Sequence, residues 1–188
     1  MKLTWSQKLF LKINSEVGKR KWLDNLAIVC ARDFIFIIFI LVLFWGIMYL
    51  DPVDFKFLIK ILLTAGVSGI VVSWVSAMIW SNPRPVAELE NIKQIVIPHQ
   101  TFKSFPSDHT MFSFILVLVP AFLMMPWYFV VGLFLLATMI SISRVYGGIH
   151  YPRDIIGGFV FALFFSIISF WLLGNVTQPL YSFFMNLL

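Results

Sequence analysis

The chain has 188 residues, of which 60% are hydrophobic and 12% are charged, and its formal net charge is +5. Soluble domains contain about 45–50% apolar residues. The higher hydrophobic fraction of this chain, together with its mean hydropathy of +0.92, excludes an ordinary soluble fold. The length predicts one membrane-embedded domain, 1–188, and the scattered basic residues argue against a nucleic-acid-binding protein.

The N-terminal residues predict a helix that lies in the membrane interface. Between residues 4 and 17, Trp5, Leu9 and Ile13 recur at helical spacing among lysines and polar side chains. Such an amphipathic pattern is typical of an interfacial helix, and we assign residues 1–22 to this interfacial segment. The segment lacks a continuous hydrophobic core, so we expect no cleavable signal peptide.

Five apolar runs are long enough to cross a membrane, which takes about 20 residues. The first run is interrupted by the neighbouring charges of Arg32 and Asp33. Trp45, Trp80 and Trp127 lie near predicted ends, where aromatic belts form. The predicted fold class is therefore all-α, a polytopic membrane helix bundle with five transmembrane helices plus the interfacial helix. The predicted spans are 26–50, 57–80, 107–125, 127–146 and 153–174.

The order of the spans predicts where the polar residues meet. Residues 81–106 form the one long polar loop. With five spans, this loop, the connection 147–152 and the N-terminal segment share one face of the membrane. The arginine-bearing and histidine-bearing elements then converge there, and polar residues at the mouth of apolar segments are usually functional. We therefore expect the active site on this face.

Two features of this face suit a bound phosphate. Arg84 and Arg144 are permanent cations whose planar forks match phosphate oxygens. Ser107 and Asp108 follow Pro106 at the start of a predicted helix. Free backbone N–H groups and the helix dipole favour an anion at such a point.

The same face offers groups for nucleophilic and acid catalysis. Gly147 and Gly148 end one predicted helix, and Pro152 suits the first turn of the next. His150 then projects from the connection, with Asp154 close enough to accept a ring N–H and orient the other nitrogen as a nucleophile. With His109 available as an acid, these groups meet the needs of phosphoryl transfer.

Simpler interpretations apply to several polar residues. Arg32 and Asp33 are most simply a local ion pair, and His99 is most simply a solvated loop side chain. Metal binding is the main rival role for the histidines, but the sequence has no His-x-x-x-His pattern or carboxylate cluster, and the arginines would repel a cation. We expect no metal and no other cofactor.

Taken together, these clusters resemble the signatures of the type 2 phosphatidic acid phosphatases, membrane relatives of the vanadium haloperoxidases. The resemblance spans roughly residues 20–174 and rests on three motifs in order: Arg84-Pro85, then Pro106-Ser107-Asp108-His109, then Ser143-Arg144 with His150 and Asp154. It implies that His150 attacks phosphorus to form a phosphohistidine, that Asp154 orients it, and that His109 protonates the leaving oxygen. It also implies that Arg84, Arg144 and Ser107 bind the phosphoryl group. We add Asp108 to the predicted phosphate-binding residues.

Two departures from this family pattern concern charge. The family usually has a lysine seven residues before its Arg-Pro, where this chain has Ala77, so a cation is missing or is supplied by Lys93 or Lys103. The family usually has glycine where this chain has Asp108. A carboxylate beside phosphate is unfavourable unless it faces away or serves a different substrate.

The residues from Ile97 to Thr110 look most like the branch that acts on undecaprenyl diphosphate, a carrier lipid of bacterial wall assembly. This likeness implies removal of its terminal phosphate to leave the monophosphate. Phosphatidylglycerophosphate, phosphatidate and lipid A are alternative substrates. A non-enzymatic lipid-binding or transport protein is a remote alternative, and the membrane spans argue against a haloperoxidase. The expected partners are lipid phosphates and membrane lipids, without nucleic acid.

The orientation in the membrane is predicted in two opposing ways. The positive-inside rule would make the face of the site cytoplasmic, because that face carries Lys2, Lys8, Lys12, Lys19, Arg20 and Lys21. The family resemblance implies the opposite, and basic residues of an interfacial helix can bind anionic headgroups. We follow the resemblance and expect a multi-pass protein of the inner (cytoplasmic) membrane whose site faces the extracytoplasmic side.

Overall fold

A computed structural model describes residues 3–98 and 100–186, so Lys2 and His99 lie outside the described residues. Within these ranges the regular elements are helices, and one isolated bridge pairs Asn82 with Lys103. The helices are α1 Trp5–Asn14, α2 Lys21–Arg32, α3 Phe34–Tyr49, α4 Pro52–Ile79, α5 Pro85–Glu88, α6 Asp108–Phe122, α7 Trp127–Tyr146, α8 Pro152–Leu172 and α9 Gln178–Met185, with a π-helical segment Leu173–Thr177 before α9. The all-α prediction is confirmed for the described residues.

In the described part of the chain, three helices are long and apolar enough to cross a membrane, namely α4, α7 and the continuous helix 152–183 that begins with α8. The predicted first span, 26–50, is instead two helices, α2 and α3, bent by 51°. The bend falls at Asp33, whose carboxylate is hydrogen-bonded by Arg32 at 2.8 Å as expected for a local ion pair. The third predicted span, 107–125, corresponds to α6, which has 15 residues. The five-span count stays a prediction.

Helix α6 occupies the centre of the bundle and packs against α3, α4, α7 and α8. Its core residues Met111, Ile115 and Val117 are essentially buried. Because α6 is surrounded, its first turn is fixed from several sides, which suits a position that carries site residues.

The tryptophans near helix ends differ in exposure. Trp80 and Trp127 are 73% and 75% exposed, as an aromatic belt requires. Trp45 is only 3% exposed and belongs to the core, so its predicted position in a belt is wrong. The α3 helix turns this side chain inward against the rest of the bundle.

The N-terminal helix α1 is present, with Thr4 accepting the N–H of Gln7 at its start. Ser6, Phe10 and Asn14 face inward and are buried, while Trp5 and Leu9 are exposed. An exposed apolar pair suits contact with lipid. Its position in the interface, and that of the 1–22 segment, stays a prediction.

Candidate active site

Helix α2, the ends of α4, α6 and α7 that lie nearest the loop 81–106, that loop, and the connection before α8 line one cavity of about 770 Å³. This cavity is lined by residues from the three polar clusters of the sequence. The predicted site residues that line it are Arg84, Asp108, His109, Arg144 and His150. The two predicted catalytic histidines and the two predicted phosphate-binding arginines therefore face one space, which Arg32 of α2 also lines.

The link between α7 and α8, residues 147–151, depends on glycine. Gly148 has a φ of +86°, and a Cβ there would lie 2.7 Å from the backbone oxygen of Lys93. The backbone oxygen of Gly147 accepts N–H bonds from Ile95 and Val96 at 3.2 and 3.3 Å. The loop 81–106, which we call the site loop, is thus joined to the link through its backbone.

His150 projects from this link and is 2% exposed. Its Nε2 lies 3.0 Å from Nη1 of Arg84. A guanidinium has only donors, so Nε2 must be the acceptor and the ring proton must sit on Nδ1. The Nε2 lone pair is therefore on the side of the ring that faces Arg84 and the cavity.

Asp154 lies behind His150 and is fully buried. Its Oδ2 accepts hydrogen bonds from the hydroxyl of Ser104 at 2.5 Å and from the backbone N–H of Tyr151 at 2.8 Å. The Nδ1 of His150 lies 3.6 Å from the same oxygen, within ion-pair range but longer than a hydrogen bond. The predicted contact is present, and it is looser than a direct hydrogen bond. The structure also adds Ser104, which sequence patterns did not single out.

The surroundings keep His150 neutral. Burial, reinforced by the positive charges of Arg84 and Arg144, lowers the pKa of His150 from 6.5 to about 4, against the opposing effect of Asp154. The neutral imidazole is the nucleophilic form. His150 therefore keeps its lone pair at neutral pH.

Backbone oxygens hold both arginines in place. Nη1 of Arg84 donates to the oxygen of Ile149 at 2.9 Å, and Nη1 of Arg144 donates to the oxygen of Ala31 at 3.1 Å. Among the described residues, the Nε of each arginine is buried without a hydrogen-bond partner. Burial lowers the pKa of Arg84, although arginine starts high enough to stay charged. Two anchored cations with unused donors at a cavity can bind an anion.

The start of α6 is as predicted. Ser107 caps the helix, with its oxygen accepting from Thr110 N–H at 3.5 Å, and its own N–H donates to the oxygen of Asp154 at 3.0 Å. Ser107 is fully buried and is not among the residues that line the cavity, so its role in phosphate binding stays a prediction. Asp108 and His109, in the first turn, both line the cavity.

The two candidate lysines lie in different places. Lys103 is 1% exposed, and its Nζ donates to both carboxylate oxygens of Asp108 at 2.6 Å. The hydroxyl of Ser73 donates to the same carboxylate at 2.7 Å. Lys93 is on the exposed surface and donates instead to the backbone oxygen of Val17. Of the two, Lys103 is therefore the one that contacts a predicted site residue, although it is not itself among the residues that line the cavity.

Helix α1 packs on the outside of this arrangement. The ring of Phe10 lies edge-on to Tyr151 with centroids 5.3 Å apart, and Ser6 accepts the N–H of Arg153. The Asn14 side chain accepts the N–H of Lys93 and donates to the oxygens of Lys93 and Tyr146. The N-terminal helix thus ties the site loop to the α7–α8 link.

A stretch of 122 residues, 57–178, matches the PAP2 superfamily. It covers more than half of the chain and contains every residue of the three motifs. The chain belongs to the PAP2 superfamily. Within the described residues, no group of three His, Cys, Asp or Glu side chains is arranged to hold a metal ion.

Relatives and solved structures agree with this membership. The chain is 35% identical to the candidate undecaprenyl-diphosphatase YbjG of Escherichia coli (strain K12), over 80% of this chain and 73% of that protein. It is 28% identical to the undecaprenyl-diphosphatase BcrC of Bacillus subtilis (strain 168), over 56% of this chain and 52% of that protein.

Two solved structures share the fold. Aquifex aeolicus LpxE superposes with a TM-score of 0.71 at 25% identity, covering 89% of this chain and 96% of that one. A PAP2-type phosphatidylglycerolphosphate phosphatase from Bacillus subtilis gives a TM-score of 0.58 at 20% identity, covering 94% and 88%. The predicted family is confirmed, and the chain is a membrane phosphatase of the PAP2 type.

Proposed function

We propose that this protein removes the terminal phosphate of undecaprenyl diphosphate and leaves undecaprenyl phosphate, through a phosphohistidine at His150. The observation that carries the proposal is the single cavity lined by His150, His109, Arg84 and Arg144. The choice of undecaprenyl diphosphate as the substrate is supported by the undecaprenyl-diphosphatase relatives.

In the first step, Nη1 of Arg84 turns from Nε2 of His150 to a phosphoryl oxygen, and the freed Nε2 lone pair attacks the terminal phosphorus. The N–P bond forms while the bond from phosphorus to the bridging oxygen breaks, and His109 gives a proton to that oxygen. Asp154 stabilises the positive charge that develops on the ring. Arg84 and Arg144 stabilise the negative charge on the phosphoryl oxygens.

In the second step, water attacks the phosphohistidine. His109, now neutral, takes the proton from this water, the N–P bond breaks, and inorganic phosphate leaves. His150 is then neutral again and His109 is protonated again. No step uses a metal ion or another cofactor, because the histidine is the nucleophile and the arginines bind the charge.

The test is phosphate release by the purified protein from a panel of lipids at equal surface concentration. We expect the highest kcat/KM with undecaprenyl diphosphate. Phosphatidylglycerophosphate, phosphatidate and lipid A are the alternative substrates, and a clear preference for one of them would replace the lipid while keeping the chemistry. Absence of release from every lipid would contradict an enzymatic role and favour lipid binding or transport.

Two further measurements test the mechanism. Release should continue in excess chelator, and loss that divalent ion restores would indicate a metal mechanism.

Orthovanadate, which imitates five-coordinate phosphorus, should inhibit, and indifference to it would contradict attack by a histidine.

We also propose that the site faces the extracytoplasmic side of the inner membrane. The natural cysteine, Cys30, is 1% exposed, so a single introduced cysteine can report accessibility. Gln94→Cys in the site loop should react with a membrane-impermeant maleimide in intact cells. Val53→Cys, at the opposite end of α4, should react only after permeabilisation. The reverse pattern would place the site in the cytoplasm.

A further inference from the structure

A buried ion pair stands beside the cavity with no role in the steps above. Lys103 is almost completely buried, while the side chain of Asp108 is 22% exposed and lines the cavity. Burial lowers the pKa of Lys103, and the neighbouring Asp108 opposes this effect. A buried lysine is costly unless its charge is used or matched.

The backbone places Lys103 next to Arg84. The N–H of Arg84 donates to the oxygen of Thr101 at 2.9 Å, and the N–H of Ser104 donates to the oxygen of Asn82 at 2.7 Å. The two ends of the site loop therefore run side by side, which brings Lys103 near Arg84, and Lys103 reaches the wall of the cavity through its contact with Asp108. The positive charge of Arg84 acts on Lys103 as well.

Asp108, the partner of Lys103, has a second hydrogen-bond donor and does not depend on the lysine alone. The carboxylate of Asp108 also accepts the hydroxyl of Ser73 and is partly exposed, so it keeps a donor if the ammonium turns away. The ammonium also lies 5.5 Å from the centre of the Trp74 ring, a contact that is attractive for a cation. A phosphate bearing two charges competes well against one carboxylate for the same ammonium.

We propose that Lys103 is a third phosphate-binding cation of this site, and that Asp108 is the positioning residue that holds it at the cavity and shares it with the bound phosphate. Asp108 thereby also loses the repulsion that a lone carboxylate would exert on the substrate. The role of Lys103 in the reaction rests on the proposed function. Its role in binding an anion does not depend on the proposed function.

The position of Ala77 gives a rescue test. Ala77 lies one helical turn after Ser73 on α4, and residues four apart share a face. Because Ser73 contacts Asp108, a lysine at position 77 would extend toward the same carboxylate. A cation supplied from α4 should therefore replace one supplied from the site loop.

The experiment compares Lys103→Met, Asp108→Asn, the double variant Lys103→Met/Asp108→Asn and the triple variant Ala77→Lys/Lys103→Met/Asp108→Gly. The exposed loop residue Lys93 supplies the matched control, Lys93→Met. For each purified variant, the dissociation constant of orthovanadate is measured by thermal stabilisation, and kcat/KM by phosphate release from undecaprenyl diphosphate.

We expect Lys103→Met to weaken vanadate binding at least about tenfold and to lower kcat/KM about 100-fold, the usual effect of losing one charge-stabilising donor. Asp108→Asn should weaken vanadate binding less than Lys103→Met does, because the lysine charge remains but loses the carboxylate that holds it at the cavity. The double variant should stay as weak as Lys103→Met even if its thermal stability recovers, and the triple variant should regain binding and activity.

Return of the double variant to wild-type binding would show that the pair is only structural and overturn the proposal. The proposal would also be overturned if Lys103→Met bound vanadate as tightly as the wild type, or if the wild type did not bind vanadate. It would likewise fail if the triple variant folded stably but did not recover binding and activity. If the wild type binds vanadate but cleaves no lipid phosphate, the proposed function fails, and the binding series still decides the role of Lys103.

Discussion

The two sides of the cavity hold their charged groups in different ways. On the link side, backbone groups contact Arg84, Arg144 and Asp154 directly. At a second place beside the cavity, which we call the lysine side, Lys103 is held by the side chain of Asp108. A backbone partner is fixed in place by the fold, whereas in a side-chain pair both partners can turn. The link side therefore suits bond formation at a fixed distance, and the lysine side suits adjustment to the charge that arrives.

The largest expected effect tests the link side through its nucleophile. His150→Ala removes the ring that attacks phosphorus, so phosphate release from undecaprenyl diphosphate should fall to the uncatalysed background. The thermal unfolding midpoint should show that the variant still folds. Substantial turnover in this variant would remove His150 from the mechanism. It would also show that the link side is not where the bond to phosphorus forms.

Asp154→Asn should have the next largest effect. The amide can donate to Nδ1 of His150 and so favour the ring form that carries its proton on Nε2, which has no lone pair for attack. In a serine protease the equivalent change lowers kcat by about 10⁴-fold, and we expect a loss of roughly 10²–10⁴-fold here. The measurement is kcat at saturating lipid, with Ile156→Ala, at an exposed position of α8, as a neighbouring control that should lose far less. Equal losses in the two variants would point to general disruption of α8.

Protonation of His150 gives a prediction for stability in acid. In the folded protein its pKa is about 4, below its ordinary value of 6.5, so between these pH values the unfolded chain binds the proton and the folded chain does not. Stability should therefore fall as the pH drops through this window. His150→Gln lacks this proton uptake. As the pH drops from 7 to 4, the unfolding midpoint of the wild type should therefore fall more than that of the variant. A constant difference would contradict the lowered pKa.

Ser104→Ala should have the smallest effect. It removes one hydrogen bond to the Asp154 carboxylate and keeps the one from Tyr151. A hydrogen bond to a charged group contributes about 1.5–3 kcal/mol, so we expect roughly a 10- to 100-fold loss in kcat/KM. Ser81→Ala, at the exposed edge of the site loop, is the matched control. No loss in Ser104→Ala would show that the backbone alone fixes Asp154.

The link side could be predicted from the sequence because its signals are local. Gly148, Pro152 and the four-residue spacing of His150 and Asp154 act through neighbouring backbone, and charged residues are rare enough in this chain to stand out. The lysine side depends on where the site loop runs, which local rules do not determine. Lys103 was one of two candidates, and Ser73 and Ser104 gave no signal because serines are common in helices and loops.

The spans show the same limit. The break at Asp33 was visible as an interruption by charge, but its 51° bend is a property of packing. The inward position of Trp45 likewise follows from the rotation of α3 within the bundle, whereas Trp80 and Trp127 occupy free helix ends. Patterns along the chain therefore located the polar face, and the structure supplied the partners across it.

The packing of α1 against the link bears on how the protein can be handled. Through Ser6, Phe10 and Asn14 this helix reaches Arg153, Tyr151 and the backbone of Lys93, although it contributes nothing to the wall of the cavity. Truncating it, or fusing a bulky affinity tag directly before it, would loosen the scaffold behind the nucleophile. Recombinant versions intended for kinetics should therefore carry their tag elsewhere.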